Sequence, residues 1–392
     1  MTEDDLLQAI GLGEGDDWEF KDNRRGVGDS ILKTVSAFAN TLGGVIVCGI
    51  ESKDNDQTHV PVGLRDAEKH KDDLWNALNN RQAISHAPVS GAGIWIETVN
   101  GAKLVCVRVN AADRRQRPVY VGKNPLEGTY KRGGTGDYRC SQDEVQQMLR
   151  DATSEPQDST VFPGTTFDDV DLSAFSGYRS VMAARRPGHP DLRSDRTEFL
   201  KIVGGWKDQP ESGLTLAGLL MFGKRGVLRA LVPKLFLDFC EQLTMKAGHR
   251  YDDRFTSYDT DWEPNLFNFY YRSFPKLADG LKAPFALGED AMRTGETPYH
   301  EGLREALVNT LVHADYQTGG SVRVGRERES FVFENPGRFL TPLDRILAAG
   351  PKGERLSDVR NPSLLLMFYM LGLSERRGFG CPTIFRAWAE GK

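Results

Sequence analysis

Polar and apolar positions alternate over Asp17-Trp18-Glu19-Phe20-Lys21. That two-residue period predicts a half-buried strand, with Trp18 and Phe20 on one face and Asp17, Glu19 and Lys21 on the other. Upstream, residues 4–10 read as a short helix ended by the Gly-rich turn at Gly11–Gly15. Downstream the period lengthens. From Ser30, a candidate N-cap, positions Ile31, Leu32, Val35, Phe38, Ala39 and Leu42 recur at helical spacing until Gly43-Gly44. The unbroken apolar run Val45–Ile50 predicts a central strand covered on both faces, with Glu51 at its C-terminal end. Further strands are expected at Gly93–Thr98, Lys103–Val109, Pro118–Val121 and Thr129–Arg132, with a helix over Gln142–Asp151.

Residues 152–167 are rich in Ser, Thr, Pro and Asp without periodicity, which predicts a linker. Two helical patterns follow, near Leu172–Arg186 and Arg196–Trp206, and after them the stretch Leu214–Phe222 and a strand candidate at Lys234–Phe239. Leu266–Phe274 reads as an aromatic helix stopped by Pro275. Gly302–Asp315 is helical, Ser321–Gly325 and Ser330–Glu334 form a hairpin pattern, and Leu343–Ala349 and Asn361–Leu371 are helical again. Three regions are expected: 1–152, a linker and helical connector at 153–233, and 234–392.

A chain of 392 residues is long enough for two or three domains with full cores. Its 39% apolar and 27% charged residues fit a globular protein rather than a disordered one. Fifty basic residues against 55 acidic ones make it no bulk polycation, so any nucleic-acid contact must come from local patches. The lack of a run of ~18 apolar residues excludes a membrane helix, and the acidic start does not resemble a secretory signal. The five cysteines (Cys48, Cys106, Cys140, Cys240, Cys381) are scattered, which argues for reduced thiols in the cytoplasm over disulfides or a zinc ribbon.

Glu14 and Glu19 lie five apart across a Gly turn entering a strand. Lys21 shares the strand face of Glu19, Glu51 ends the next strand, and Asp54 lies in the loop after it. Two or three carboxylates beside a lysine are what metal-dependent phosphodiester cleavage requires, although exposed strand faces carry Glu and Lys routinely. Arg24, Arg25, Arg114, Arg115, Arg117, Lys131, Arg132 and Arg139 are the basic residues that could hold a phosphate backbone, with the Arg114–Arg117 loop the best candidate.

Glu14-(x)4-Glu19-Phe20-Lys21, followed by Thr34–Glu51 with its Ser36-Ala37-Phe38-Ala39-Asn40 and Gly43-Gly44 strings, resembles a Schlafen-type AlbA domain over roughly residues 10–150. Thr129–Gly134 and Glu144–Leu149 fit its final strands and helix. The resemblance implies a mixed sheet with helices and, for nuclease members, a Mg²⁺ or Mn²⁺ site. Glu14, Glu19 and either Glu51 or Asp54 stand at its ligand positions, and Lys21 belongs to its catalytic set.

Toward the C-terminus, Glu305 and Asn309 fall one turn apart on a helix, and His313 continues the face. Arg304–Tyr316, Asn335-Pro336-Gly337, Arg360-Asn361-Pro362 and Leu371–Gly380 together resemble the divergent GHKL-type ATPase fold found behind Schlafen-type AlbA domains in RecG-like proteins of prokaryotes. The resemblance implies ATP as cofactor, Glu305 as hydrolytic base and Asn309 as a Mg²⁺ ligand. It places Asp315, Asn335, Gly337, Gly378 and Gly380 around the nucleotide. Asn335 stands where an adenine-reading Asp is usual, and Phe339 replaces a glycine.

The expected fold is α+β: an N-terminal mixed sheet with helices, a connector and a GHKL-like α/β sandwich. The expected function is a metal-dependent endonuclease on RNA or single-stranded nucleic acid. Nucleotide binding or homo-oligomerisation would gate it, in antiviral defence by family analogy. The alternative is an ATP-binding, DNA-binding transcriptional regulator without catalysis, and a scaffold subunit working with a partner protein of the same operon is a third expectation.

Overall fold

The structure, a computed structural model, describes residues 3–24, 26–53, 58–153, 155–244, 250–279, 281, 297–341, 343, 346–348, 358–374 and 380–389. Arg25, Asp54 and Gly378 lie outside the described residues, as does part of the expected helix at Leu343–Ala349. The chain divides into two compact units, Met1–Ser154 and Glu155–Lys392, and its fold is α+β.

The first unit begins with α1 (Glu3–Leu12), β1 (Trp18–Lys21), α2 (Asp29–Ala39) and β2 (Gly43–Cys48). β1 and β2 pair in parallel, with α2 as the crossover between them. Then come β3 (Ile50–Lys53), β4 (Thr58–Pro61), α3 (Ala67–Asn79), β5 (Ile94–Val99) and β6 (Ala102–Asn110). The main sheet runs β1-β2-β6-β5. On one face Ile46, Val105 and Val107 pack against Ile31, Val35 and Phe38 of α2 and Leu74 and Leu78 of α3. On the other, Phe20, Val45, Val47 and Cys106 pack against Leu6 and Ile10 of α1. Each such large side chain contributes about 1.5–3 kcal/mol when fully buried. The unit closes with α4 (Pro125–Gly128), the hairpin β7 (Tyr130–Gly133) and β8 (Gly136–Arg139), and α5 (Gln142–Ala152).

Two expectations are corrected in this unit. The apolar run Val45–Ile50 is not one strand. Gly49 turns the chain with φ +97° and donates to Lys21 O at 2.8 Å. Ile50 therefore starts a separate ribbon with β4, and Glu51 lies on that ribbon opposite Val60. Pro118–Val121 makes only isolated bridges. Side chains replace the ladder there: Val119 O accepts from Ser36 Oγ and from Asn40 Nδ2, each at 2.7 Å, and Val119 N donates to Asn40 Oδ1 at 2.8 Å.

The second unit contains β9 (Val161–Pro163), α6 (Leu172–Arg185), α7 (Arg196–Ile202), β10 (Trp206–Lys207), β11 (Gly213–Thr215), α8 (Leu216–Phe222) and α9 (Arg225–Leu231). It continues with β12 (Leu237–Gln242), β13 (Asp253–Thr256), α10 (Leu266–Ala278), α11 (Pro298–His313), β14 (Val322–Glu327), β15 (Phe331–Glu334), α12 (Pro362–Met370) and α13 (Gly380–Ala389). One sheet runs β13-β12-β14-β15, with β12 and β14 parallel. Phe175, Phe199 and Phe222 from the stretch expected as connector share a core with Phe239, Phe269, Leu307 and Phe368.

Asp158, within the expected linker, is fully buried, and its Oδ2 accepts the Leu364 N–H at 2.9 Å in the first turn of α12. Burial pushes its carboxyl up to about 6, against the pull of the Leu364 and Ser363 hydrogen bonds. Pro275 does not stop α10, which runs on to Ala278 because the added turn buries Leu277 completely and sets Lys276 on Asp253 at 2.5 Å. Among the described residues no helix is long and apolar enough to cross a membrane.

Candidate functional site

Gly13, at φ +85°, turns the chain out of α1 and into the loop that carries Glu14. Glu14 Oε1 accepts the Phe20 N–H at 2.8 Å, which holds the loop on β1. Burial raises the Glu14 pKa, and the Glu19 charge adds to the rise. The Phe20 N–H, Lys21 and Arg132 oppose it. Lys21 pairs with Glu19 Oε1 across one face of β1, as the alternation predicts. Glu19 Oε2 is taken by Arg132 Nη1 from β7, at 2.6 Å. The same guanidinium reaches Asp137 Oδ1 at 3.0 Å, Gly15 O at 2.8 Å and Trp18 O at 2.9 Å, and it lies over the Phe38 ring. Asp137 in turn accepts the Thr34 hydroxyl at 2.5 Å.

Glu14, Glu19 and Lys21 thus come together around Arg132. Glu51 is engaged elsewhere, with Arg24 Nη2 at 2.9 Å and Lys53 Nζ at 3.7 Å. Among the described residues no group of three or more His, Cys, Asp and Glu side chains is arranged to hold a metal ion. Both oxygens of Glu19 already face cations, so these residues as arranged do not fit a resident Mg²⁺ or Mn²⁺.

The basic residues divide sharply. Arg132, expected on a phosphate-binding face, is buried beneath the hairpin. Arg24 also binds Asp22 at 2.5 Å, and Lys131 binds Glu144 at 2.6 Å. Arg114 donates to Asp151 O at 2.8 Å, and Arg117 donates to Ala112 O and Thr41 O at 3.0 and 3.1 Å, so both bind backbone rather than facing outward. Arg115, Lys33 and Arg139 are exposed, and among the described residues none of them has a carboxylate partner.

In the second unit, Glu305, Asn309 and His313 of α11 line a cavity of about 640 Å³ together with Asn335 and Gly337, which follow β15, and Gly380, which starts α13. The size lies in the ordinary range for small-molecule sites. Gly380 presses so closely on α11 that a Cβ there would stand 2.5 Å from Asn309 Nδ2 and 2.6 Å from Glu305 Oε1. Ser374, also lining the cavity and largely buried, has no hydrogen-bond partner for its hydroxyl among the described residues. Burial and the Glu305 charge raise the Cys381 thiol pKa. His313 is pushed down to about 4 by burial and the Arg360 charge, with Asp358 opposing.

Asp315 is the exception. It is fully buried behind the cavity, its N–H donates to Pro336 O at 2.8 Å, and its carboxylate lies 3.8 Å from Arg360. Its place is structural: with Arg360, which donates to Arg338 O at 2.7 Å, it anchors the loop carrying Asn335 and Gly337.

The model of the Schlafen, AlbA_2 family matches residues 14–141. The N-terminal unit is a Schlafen, AlbA_2 domain. Residues 146–238 match a domain of unknown function, DUF8451. A crystal structure of a protein from Corynebacterium diphtheriae is similar at 18% identity and TM-score 0.40, over 93% of this chain and 59% of that one. The chain therefore spans about three fifths of the length of that protein. The solution structure of the N-terminal domain of an ATP-dependent DNA helicase RecG-related protein from Nitrosomonas europaea is 30% identical, with TM-score 0.29. That match covers 36% of this chain and 94% of that one. No curated protein matches the chain.

Within the Schlafen, AlbA_2 domain, sequence reasoning missed Asp137 and Thr34, and it gave Arg132 the wrong partner. The Arg132–Glu19 pair spans 113 residues, and no local periodicity links its ends. The strand expected at Thr129–Arg132 is there, as β7, but its alternation does not set the direction of Arg132.

Proposed function

We propose that this chain is a nucleic-acid-binding protein whose second unit holds a purine nucleotide. The observation that carries the reading is the cavity lined by Glu305, Asn309, Asn335, Gly337 and Gly380, residues drawn from three separate parts of the chain. Its chemistry suits a nucleotide. The Asn309 amide offers a carbonyl oxygen and N–H donors to phosphate or to its Mg²⁺, and Glu305 one turn away is placed to accept a proton from water. The Ser374 hydroxyl has donor capacity to spare, and Phe339, Ile346 and Ile384 supply apolar wall for a base. Bound Mg²⁺ would neutralise phosphate charge. The nucleic-acid half of the proposal draws on the Schlafen, AlbA_2 assignment and on the exposed cations Lys33, Arg115 and Arg139, which have no carboxylate partner among the described residues.

Isothermal titration of the full chain with ATP and Mg²⁺ tests the nucleotide half. The expected result is saturable binding, weakened at least about tenfold in Asn309→Ala and retained in Glu305→Gln. Absence of binding in the unaltered chain would overturn it. A second reading, cleavage of RNA or single-stranded DNA, draws on the gathering of Glu14, Glu19 and Lys21. Because Glu19 as arranged pairs with Lys21 and Arg132, it requires a metal ion brought with the substrate rather than a resident one. Chelator-sensitive cleavage that disappears in Glu19→Gln would establish it. Binding without cleavage under Mg²⁺ or Mn²⁺ leaves the binding protein as the function.

A further inference from the structure

We infer that Tyr138 is a stacking platform for an unpaired nucleobase of single-stranded nucleic acid. The inference rests on the nucleic-acid reading above and names the form of nucleic acid the first unit takes.

Tyr138 lies on β8 and is 57% exposed, although its ring is firmly seated. A Cβ at Gly136 would come within 2.8 Å of the ring at Cε2 and 2.9 Å at Cζ, and one at Gly133 within 3.4 Å of Cδ2. Both ends of the turn are glycine where the ring lies against them. The hairpin beneath is fixed from several directions. Gly134 N donates to Asp16 Oδ1 at 2.8 Å, Cys140 N donates to Thr129 O at 2.9 Å, and Arg132 ties β7 to β1 from below. The ring is thus held before any ligand arrives, and little conformational entropy is lost on contact.

An exposed aromatic surface on a rigid hairpin can stack on any base, because every base has a π-face. The charge nearby suits the same ligand. Arg139 follows Tyr138 on β8 and pairs with Tyr130, so it projects from the opposite face of the hairpin, where Lys33 Nζ lies 5.8 Å from the Tyr130 ring. These cations are placed for the phosphates flanking a stacked base, not for the base itself. Neither cation has a carboxylate partner among the described residues, so both are available to phosphate. Lys131, directly across from Tyr138, spends its charge on Glu144 and leaves that face of the hairpin to the ring. Duplex bases are stacked on one another and offer no free face, so an unpaired base is the form that fits.

The test is fluorescence polarisation of labelled single-stranded RNA and DNA oligonucleotides of roughly 20 nucleotides with the full chain. Tyr138→Ala is expected to weaken binding about tenfold or more, and Tyr138→Leu similarly, whereas Tyr138→Trp keeps the affinity. Gly136→Ala, which retains the tyrosine but displaces it, is expected to weaken binding too. Tyr138→Ala should leave the salt dependence unchanged, while Arg139→Ala and Lys33→Ala should each lower its slope by about 0.7. If the unaltered chain binds and Tyr138→Ala binds equally well, the inference fails while the nucleic-acid reading stands. Equal loss in Tyr138→Ala and Tyr138→Trp would also overturn it, as a structural effect. If the unaltered chain binds neither strand, both readings fall together.

Discussion

Arg132 Nη1 lies 2.6 Å from Glu19 Oε2, with both side chains buried, and the same guanidinium holds Asp137 and two backbone carbonyls of the β1 approach. One fork of donors therefore joins the hairpin to the first strand.

Arg132→Met removes that fork, leaving the buried Glu19 with Lys21 alone and the half-buried Asp137 without its cation. Breaking a buried pair from one side costs about 3–5 kcal/mol. The urea midpoint of the first unit should fall accordingly. Arg132→Lys should recover little of it, because one ammonium cannot serve four acceptors in fixed directions.

Gly380→Ala probes the cavity. The new methyl would meet the ends of the Glu305 and Asn309 side chains, which can rotate aside, so folding should survive. Nucleotide affinity should fall about tenfold or more, as read by titration calorimetry against the unaltered chain. Unchanged affinity would remove Glu305 and Asn309 from the nucleotide's contacts.

His313 makes stability pH-dependent. Its imidazole is held down to about 4 from an ordinary 6.5. Between those values the unfolded chain binds the extra proton, so stability rises with pH across the window and is lost as pH falls from 6.5 toward 4. His313→Gln should flatten this slope, measured as urea midpoints at pH values on either side of the window. The His313 carbonyl that accepts from Arg360 Nε at 3.3 Å is kept by the substitution.

Gly302 sets the approach of α11 to α13. A Cβ there would stand 2.6 Å from Trp388 Cζ3 and 2.7 Å from Ala387 Cβ. Gly302→Val should cost about 1–3 kcal/mol through overpacking and push Trp388 outward. Chemical denaturation and a red-shifted tryptophan emission report the two effects.

Much of the fold was legible in the sequence because it is set by local periodicity. The alternation around Trp18 and Phe20 marked β1, the helical spacing from Ile31 to Ala39 marked α2, and the helical pattern at Gly302–Asp315 marked α11. The one-turn spacing of Glu305 and Asn309 put both on the same helix face, and the structure opens that face onto a cavity. Where the reading failed, a distant contact had overridden a local one. Val119 looked like strand, but Asn40 and Ser36 took its hydrogen bonds. Pro275 looked like a stop, but burial of Leu277 carried the helix through it.

The sequence by itself determined which residues carry charge and where the helices and strands form, since both follow from side-chain chemistry and short-range geometry. Only the tertiary structure decided which charges remain free. Arg132, Arg114 and Arg117 are as basic in the sequence as Arg115 and Arg139. Folding buries or occupies the first three because backbone carbonyls and carboxylates brought from far along the chain satisfy their donors, and it leaves the last two facing solvent. Long-range pairing obeys no period, so no window of sequence contains it.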